Sequence, residues 1–79
     1  MNTIGERLAY TRTTVLSMNQ TSFAKLLGVS QGALSEMENN RRGLSMESII
    51  KLMEYSKEDN SISCMWILIG EYENNKCSD

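Results

Sequence analysis

Apolar residues in the middle of the chain recur at helical spacing and define two short amphipathic segments. Phe23, Ala24 and Leu27 fall at positions i, i+1 and i+4, on one face of a first helix. Leu34 and Met37 fall at i and i+3, on one face of a second. The pattern predicts two short helices that are separated by a tight turn.

The junction between these segments has the residues of a helix-to-helix turn. We predict the first helix over 20–27 and the second over 31–38. Gly28 can adopt the positive φ that ends a helix in a left-handed cap, and Ser30 can cap the next helix. The small side chain of Ala24 lets the two helices cross closely. Such a helix-turn-helix unit presents its second helix to the major groove of DNA.

Another helix is predicted before this unit. Thr3 and Glu6 have the spacing of a capping box, in which each side chain bonds the backbone amide of the other residue. The apolar stripe that follows consists of Ile4, Leu8, Thr11 and Val15. Thr11 is a polar interruption of this stripe. Residues 16–18 are predicted as the turn, and Asn19 as the cap of helix 20–27.

Two more helices are predicted after residue 44. Ser45 caps the fourth helix, and Ser63 caps the fifth, which Gly70 closes. The apolar positions of the fourth helix are Met46, Ile49, Ile50, Leu52 and Met53. The predicted fold class is all-α, a compact five-helix domain with the helix-turn-helix at helices 2 and 3. We assign residues 1–71 to this domain and 72–79 to a polar tail that we expect to be flexible.

Size and composition limit the classes of protein that fit. A chain of 79 residues makes one small domain. Its longest apolar run, 65–69, is too short to span a bilayer, and the first residues lack the pattern of a secretion signal. We therefore expect a cytoplasmic protein with no membrane partner.

The residues that usually carry metal or covalent chemistry are scarce. The chain has no histidine, and its two cysteines, Cys64 and Cys77, support neither a zinc site nor a disulfide framework. The sequence also lacks an obvious activated nucleophile and a phosphate-binding loop. We predict no metal, no cofactor and no enzymatic activity.

The charge is distributed unevenly along the chain. The net charge is −2, but residues 1–42 carry five basic and three acidic side chains, a net +2. Residues 43–79 carry three basic and seven acidic side chains, a net −4. The acidity therefore lies away from the predicted DNA-facing part, although few phosphates can be neutralised and binding should weaken readily in salt.

Four separated stretches of the chain match the pattern of one family. They are residues 4–8 with Arg12, the central positions Gln20, Ala24, Gly28, Val29, Gln31, Leu34 and Glu38, the positions Arg41, Ser45 and Glu47, and the closing stretch 66–71. Together they resemble the Cro/phage-repressor (XRE-type, lambda-repressor-like) helix-turn-helix family. The resemblance spans nearly everything from Ile4 to Glu71.

The resemblance implies a sequence-specific transcriptional regulator of phage repressor or Cro type. It would bind a pseudo-palindromic, double-stranded DNA operator as a homodimer, with helix 31–38 in the major groove. The base contacts are then predicted to be Gln31, Gly32, Ala33, Ser35 and Glu36. The predicted phosphate contacts are Asn19, Gln20, Asn39, Asn40, Arg41 and Arg42. The chemistry of Gln31 agrees, because its amide can both donate to and accept from adenine.

Some of these positions have simpler explanations that stay open. Gly32 and Ala33 can serve only to avoid a clash, and Glu36 can be a solvated side chain. Resemblance also implies that Arg12 and Glu38 form a structural ion pair between the first helix and the end of helix 31–38. Met65, Trp66 and Ile69 form a possible dimer surface, although Trp66 is also a candidate for the core.

The sequence departs from the family pattern in three places. The turn between helices 1 and 2 is one residue longer, and Thr11 stands where an apolar residue or alanine is common. Helix 31–38 contains no arginine or lysine. Glu36 occupies a position where many relatives have a polar or basic base-reading residue.

Two alternative functions follow from these features. The acidic second half and the absence of basic residues from helix 31–38 favour a protein-interaction module, antitoxin-like or an anti-repressor, built on the same fold. The chain can also be the DNA-binding fragment of a longer repressor, with a missing C-terminal domain. Replacing Arg41 and Arg42 by alanine discriminates, because a regulator loses operator binding whereas an interaction module keeps its protein partner.

Overall fold

A computed structural model of the protein describes residues 3–70, and within this range the chain is helical without any strand. The α-helices are α1 (Ile4–Tyr10), α2 (Gln20–Leu27), α3 (Gln31–Glu38), α4 (Met46–Glu58) and α5 (Cys64–Ile69). This architecture confirms the predicted all-α, five-helix fold. The predicted tail, 72–79, and Cys77 lie outside the described residues. None of the helices between residues 3 and 70 has the length and apolarity needed to cross a membrane.

Every α-helix begins at a polar side chain that accepts a hydrogen bond from an amide of the first turn. The caps are Thr3, Asn19, Ser30, Ser45 and Ser63, with N···O distances of 2.8–3.2 Å. The Glu6 carboxylate also accepts from the Thr3 amide at 3.3 Å, which completes the predicted capping box. A cap of this kind typically contributes about 1 kcal/mol to stability.

The first helix continues beyond Tyr10 as a π-helical turn over Thr11–Val15. The Leu16 amide donates to the Thr11 carbonyl, five residues earlier, at 2.9 Å. A π turn holds one more residue than an α turn. The chain therefore fits one more residue into this turn than a continuous α-helix would. Ser17, with φ of 55°, then turns the chain toward α2.

Thr11 can occupy the apolar stripe of the first helix because its hydroxyl forms a hydrogen bond within that helix. Its side chain is 2% exposed, and its hydroxyl donates to the Arg7 carbonyl at 2.9 Å. The bond satisfies the hydroxyl within its own helix, so burial leaves no orphaned polar atom.

The core lies where α1, α2, α3 and α5 meet, with α4 closing one side. Its fully buried apolar side chains are Leu8, Phe23, Leu27, Leu34, Leu52 and Ile67. Among the apolar positions of α4, Leu52 alone is buried, and Ile49 is half-buried. Met46, Ile50 and Met53 are exposed. Helix α4 therefore contacts the rest of the domain through a narrower face than its five predicted apolar positions suggested.

A short polar turn connects α4 to α5. The hydroxyl and the amide of Ser61 both donate to the Asp59 carboxylate, at 2.5 and 3.0 Å. These bonds favour the ionised carboxylate and hold the pKa of Asp59 below its ordinary value of 3.8. Their contribution to stability is therefore present above the ordinary pKa and is lost as the pH falls through the lowered one.

Helix α1 begins against the C-terminal end of α3, and Gly5 makes this approach possible. A Cβ atom at residue 5 would lie 2.6 Å from each of the carbonyl oxygens of Met37 and Glu38. The Gly5 amide donates to Oδ1 of Asn40 at 3.1 Å. The missing side chain thus lets the backbones of α1 and α3 come close together.

Gly5→Ala is expected to lower the free energy of unfolding by about 1–3 kcal/mol. The added Cβ atom would clash with backbone carbonyl oxygens, which cannot move away by rotation of a side chain. Urea unfolding followed by circular dichroism would measure the change. Gly32→Ala is the matched control, since nothing lies within 4 Å of its added Cβ. That substitution should stabilise the helix by up to about 1 kcal/mol. Equal effects at the two glycines would contradict the proposed close approach.

Candidate nucleic-acid interface

The buried face of α3 fixes which of its side chains face solvent. Leu34 and Met37 are buried at 0% and 1% exposure, and they anchor one side of the helix. Of the predicted base contacts, Gln31, Gly32 and Glu36 are consequently exposed, while Ala33 and Ser35 are half-buried. The five residues therefore lie on the outer side and the flank of one helix.

Four polar side chains connect the start of α3 to the first helix. Nε2 of Gln31 donates to Oε1 of Gln20 at 2.5 Å, and Nε2 of Gln20 donates to Oε1 of Glu38 at 2.9 Å. Arg12 completes the chain with two bonds to the Glu38 carboxylate, of 2.6 and 3.1 Å. We call Arg12, Glu38, Gln20 and Gln31 the polar relay.

The polar relay determines the orientation of both glutamine amides. An ionised carboxylate only accepts hydrogen bonds, so Glu38 requires the NH2 group of Gln20 on its side. Oε1 of Gln20 then faces Gln31 and requires the NH2 group of that residue in turn. The carbonyl oxygen and one amide hydrogen of Gln31 take no part in the relay, so this exposed side chain keeps one acceptor and one donor in a fixed order.

The Arg12–Glu38 pair lies largely out of solvent. The two side chains are 15% and 6% exposed. Arg12 also donates to the carbonyl of Met18 at 3.0 Å, so it ties α3 to the turn that precedes α2. Charges in this setting depend on one another, because either one alone would be desolvated without compensation.

A Schellman motif ends α3 and directs the following loop. Asn40 is left-handed, with φ of 60°, and its amide donates to the Met37 carbonyl at 3.2 Å. The Arg41 amide reaches back to the Glu36 carbonyl at 2.8 Å. Asparagine is among the few non-glycine residues that adopt this conformation readily. The loop therefore turns back alongside α3.

Three asparagines that were predicted to contact phosphates bond within the domain. Asn19 caps α2, and Nδ2 of Asn39 donates to the Ser35 carbonyl at 2.8 Å. Asn40 accepts from the Gly5 amide and donates to Oγ1 of Thr3 at 3.0 Å, so it joins the loop to the start of α1. The cap formed by Asn19 was predicted from the sequence, whereas the structural bonds of Asn39 and Asn40 were not.

Arg41 and Arg42 are exposed in the loop that follows α3. Nη2 of Arg42 lies 2.8 Å from Oε1 of Glu36. This ion pair was not predicted, although both residues were assigned to the DNA-facing surface. The six-residue spacing offers no signal by itself, because the two side chains meet only through the Schellman turn.

The predicted dimer surface is partly exposed. Ile69 is 57% exposed, whereas Met65 and Trp66 are half-buried. The Trp66 ring packs edge-on against Tyr10, with ring centroids 5.7 Å apart and an interplanar angle of 71°. Trp66 thus also links α5 to α1.

Arg7 has a structural role that was not predicted from the sequence. It is 8% exposed, and its Nε donates to the Ile67 carbonyl at 3.0 Å, joining α1 to α5. Its position four residues before Thr11, on the same helical stripe, was the available signal. No group of three potential metal ligands occurs within residues 3–70.

The fold and the exposed face of α3 together define a helix-turn-helix protein. The helix-turn-helix family model matches residues 16–55, which are 40 of the 79 residues and include all of α2 and α3. The chain belongs to this XRE-type, Cro/C1-type family of DNA-binding regulators. No curated protein and no solved structure gives a significant match.

Removing one partner of the buried ion pair is expected to destabilise the domain strongly. Arg12→Met should lower the free energy of unfolding by about 3–5 kcal/mol, because it leaves the Glu38 carboxylate buried without its cation. Arg42→Met is the matched control, since its pair with Glu36 is 54% and 48% exposed. That change should cost no more than about 1 kcal/mol. Urea unfolding measures both, and similar losses would mean that burial does not distinguish the pairs.

Proposed function

We propose that this protein is a sequence-specific transcriptional regulator of the phage repressor or Cro type. It binds a pseudo-palindromic operator as a homodimer, with α3 in the major groove of each half-site. The observation that best supports this function is the polar relay, which holds the amide of Gln31 in one orientation at the exposed start of α3. A fixed amide at this place can distinguish bases.

Base reading is proposed to begin with Gln31. Its carbonyl oxygen would accept from N6 of adenine while its remaining amide hydrogen donates to N7. Gly32 lets the backbone approach the bases, and the Ala33 methyl can meet the methyl group of thymine. Ser35 and Glu36 complete the proposed reading surface. We propose no enzymatic activity and no cofactor for this site.

Phosphates are proposed to bind around the edges of this surface. The exposed Arg41 and Arg42 would provide charge, and the first-turn amides of α2 would point at a phosphate next to Gln20. Asn19, Asn39 and Asn40 would contribute the side-chain amide hydrogens that their bonds within the domain leave over, because the backbone amides of Asn39 and Asn40 already donate to helix carbonyls. With so few cations, affinity should be modest and sensitive to salt.

Replacing the proposed base-reading amide should relax sequence preference. Gln31→Ala is expected to reduce discrimination at one position of each half-site by about 1–3 kcal/mol, since the bidentate contact with adenine is lost. Binding sites selected from a random duplex library at low salt, for wild type and variant, would reveal the change.

Arg41→Ala is the control for this experiment. Loss of a phosphate contact should weaken binding to all sequences similarly. It should also reduce the salt slope, the slope of the logarithm of the binding constant against the logarithm of the salt concentration, by about 1. An inverted repeat selected by wild type, with preference unchanged in Gln31→Ala, would exclude Gln31 as a base reader. No enrichment by folded wild-type protein would contradict the regulator itself.

The homodimer is proposed to form through α5. Ile69→Lys should raise the dimer dissociation constant at least tenfold, because it places a charge within an apolar contact. Sedimentation at several concentrations measures this change. Met46→Lys is the control, since Met46 is 72% exposed but lies at the start of α4. Equal effects of Ile69→Lys and Met46→Lys would show that the dimer does not form specifically through α5. A wild-type protein that stays monomeric at every concentration would favour the alternative that the chain is the DNA-binding fragment of a longer repressor.

A protein-interaction module is the second candidate function. Met46, Ile50 and Met53 are exposed at spacings of four and three residues, so they share one face of α4. Such a face suits an apolar protein contact. The double variant Arg41→Ala/Arg42→Ala separates the two functions, because it should abolish operator binding but leave a contact through α4 intact.

A further inference from the structure

The outer side of α3 carries an ion pair within the surface that we propose to contact DNA. Oε1 of Glu36 and Nη2 of Arg42 are 2.8 Å apart, and their side chains are 48% and 54% exposed. Glu36 is the one acidic side chain among the proposed base readers. Arg42 is one of the two arginines proposed to bind phosphates. The ion pair thus joins the two kinds of DNA contact directly.

The backbone brings these two residues together. The left-handed Asn40 and the bond from the Arg41 amide to the Glu36 carbonyl fold the loop back along α3. The side chain of Asn40 is bonded to Gly5 and Thr3, so the turn is also fastened to α1. Arg42 is therefore held within reach of Glu36 by groups that do not belong to the ion pair.

Exposure makes this pair exchangeable. An ion pair at the surface contributes little stability, because water and salt screen it. The buried pair of Arg12 and Glu38, 15% and 6% exposed, is the contrasting case. Arg42 can consequently leave Glu36 for a phosphate without a large loss of stability, provided that the carboxylate finds another hydrogen-bond donor.

The bases differ in whether they provide that donor. Cytosine presents an amino group in the major groove, and adenine presents one next to an acceptor. Guanine and thymine present acceptor oxygens, which repel a carboxylate. When Arg42 moves to a phosphate, the carboxylate of Glu36 is therefore compensated only opposite a suitable base.

We propose that Glu36 and Arg42 act as an exchangeable ion pair that makes phosphate binding by Arg42 depend on the base opposite Glu36, with cytosine preferred. On other sequences Arg42 stays with Glu36, and one phosphate contact is lost. The pair lowers affinity for non-cognate DNA and so raises the specificity ratio. This inference rests on the proposed function and deepens it.

Four proteins test the proposal: wild type, Glu36→Gln, Arg42→Ala and the double variant. Their affinities for a random-sequence duplex and for the selected operator would be measured over a range of salt concentrations. Glu36→Gln should strengthen binding to the random duplex about twofold to fivefold, the factor associated with an exposed ion pair. Its salt slope should steepen by about 1, because Arg42 then neutralises one more phosphate.

The double variant distinguishes exchange from simple repulsion. If Glu36 acts through Arg42, Glu36→Gln should have less than half of its logarithmic effect once Arg42 is alanine. If Glu36 only repels phosphates, its replacement should have the same effect in both backgrounds, and the proposal is overturned. Glu54→Gln, an exposed carboxylate on α4, is the control for net charge and should change affinity by less than twofold.

The operator provides an independent readout. Glu36→Gln should lower the ratio of operator to random-duplex affinity, and sites selected with the variant should lose a preference for cytosine at one position. Normal operator binding with additive effects would overturn this inference and leave the proposed function standing. Folded protein that binds no duplex, with or without Glu36→Gln, would overturn both. If Glu36→Gln binds duplex and wild type does not, loss of this gain in the double variant would support the ion pair, and its retention would overturn the proposal.

Discussion

The buried carboxylate of Glu38 is the group around which the candidate interface is organised. At 6% exposure it requires compensation, which Arg12 provides from the first helix and Gln20 from the second. Because Gln20 in turn bonds Gln31, one desolvated charge sets the positions of three helices and the orientation of an exposed amide. The same electrostatic requirement therefore stabilises the domain and orients a proposed base-reading group.

Helix ends provide the second constraint. Gly28 ends α2 in a left-handed conformation, with φ of 75°, and the Val29 amide returns to the Ala24 carbonyl at 3.0 Å. Asn40 ends α3 by the same motif, but it also uses its side chain to bond the start of α1. Each short turn therefore satisfies helix carbonyls while it directs the next segment. The loop arginines lie beside α3 for this backbone reason.

The weak positive charge of the proposed interface has a consequence for selectivity. With a net charge of −2 and no basic residue on α3, the protein cannot depend on strong non-specific attraction. A carboxylate within the proposed reading surface, partly compensated by Arg42, reduces that attraction further. Specificity in such a protein would come from rejection of unsuitable bases as much as from contacts with the right ones.

The sequence by itself predicted the helices, their order along the chain and their caps, because helical periodicity and capping depend on residues three or four positions apart. Examples are helices 20–27 and 31–38 and the caps Ser45 and Ser63. The continuation of α1 as a π turn, the bonds of Asn40 and the pair of Glu36 with Arg42 were not predicted. The π turn and the Glu36–Arg42 pair join residues only five and six positions apart, but they depend on backbone turns that residue propensities do not specify. The bonds of Asn40 to Gly5 and Thr3 span 35 and 37 positions of the chain. Tertiary packing alone decides these last contacts, since their partners become neighbours only after the helices have docked.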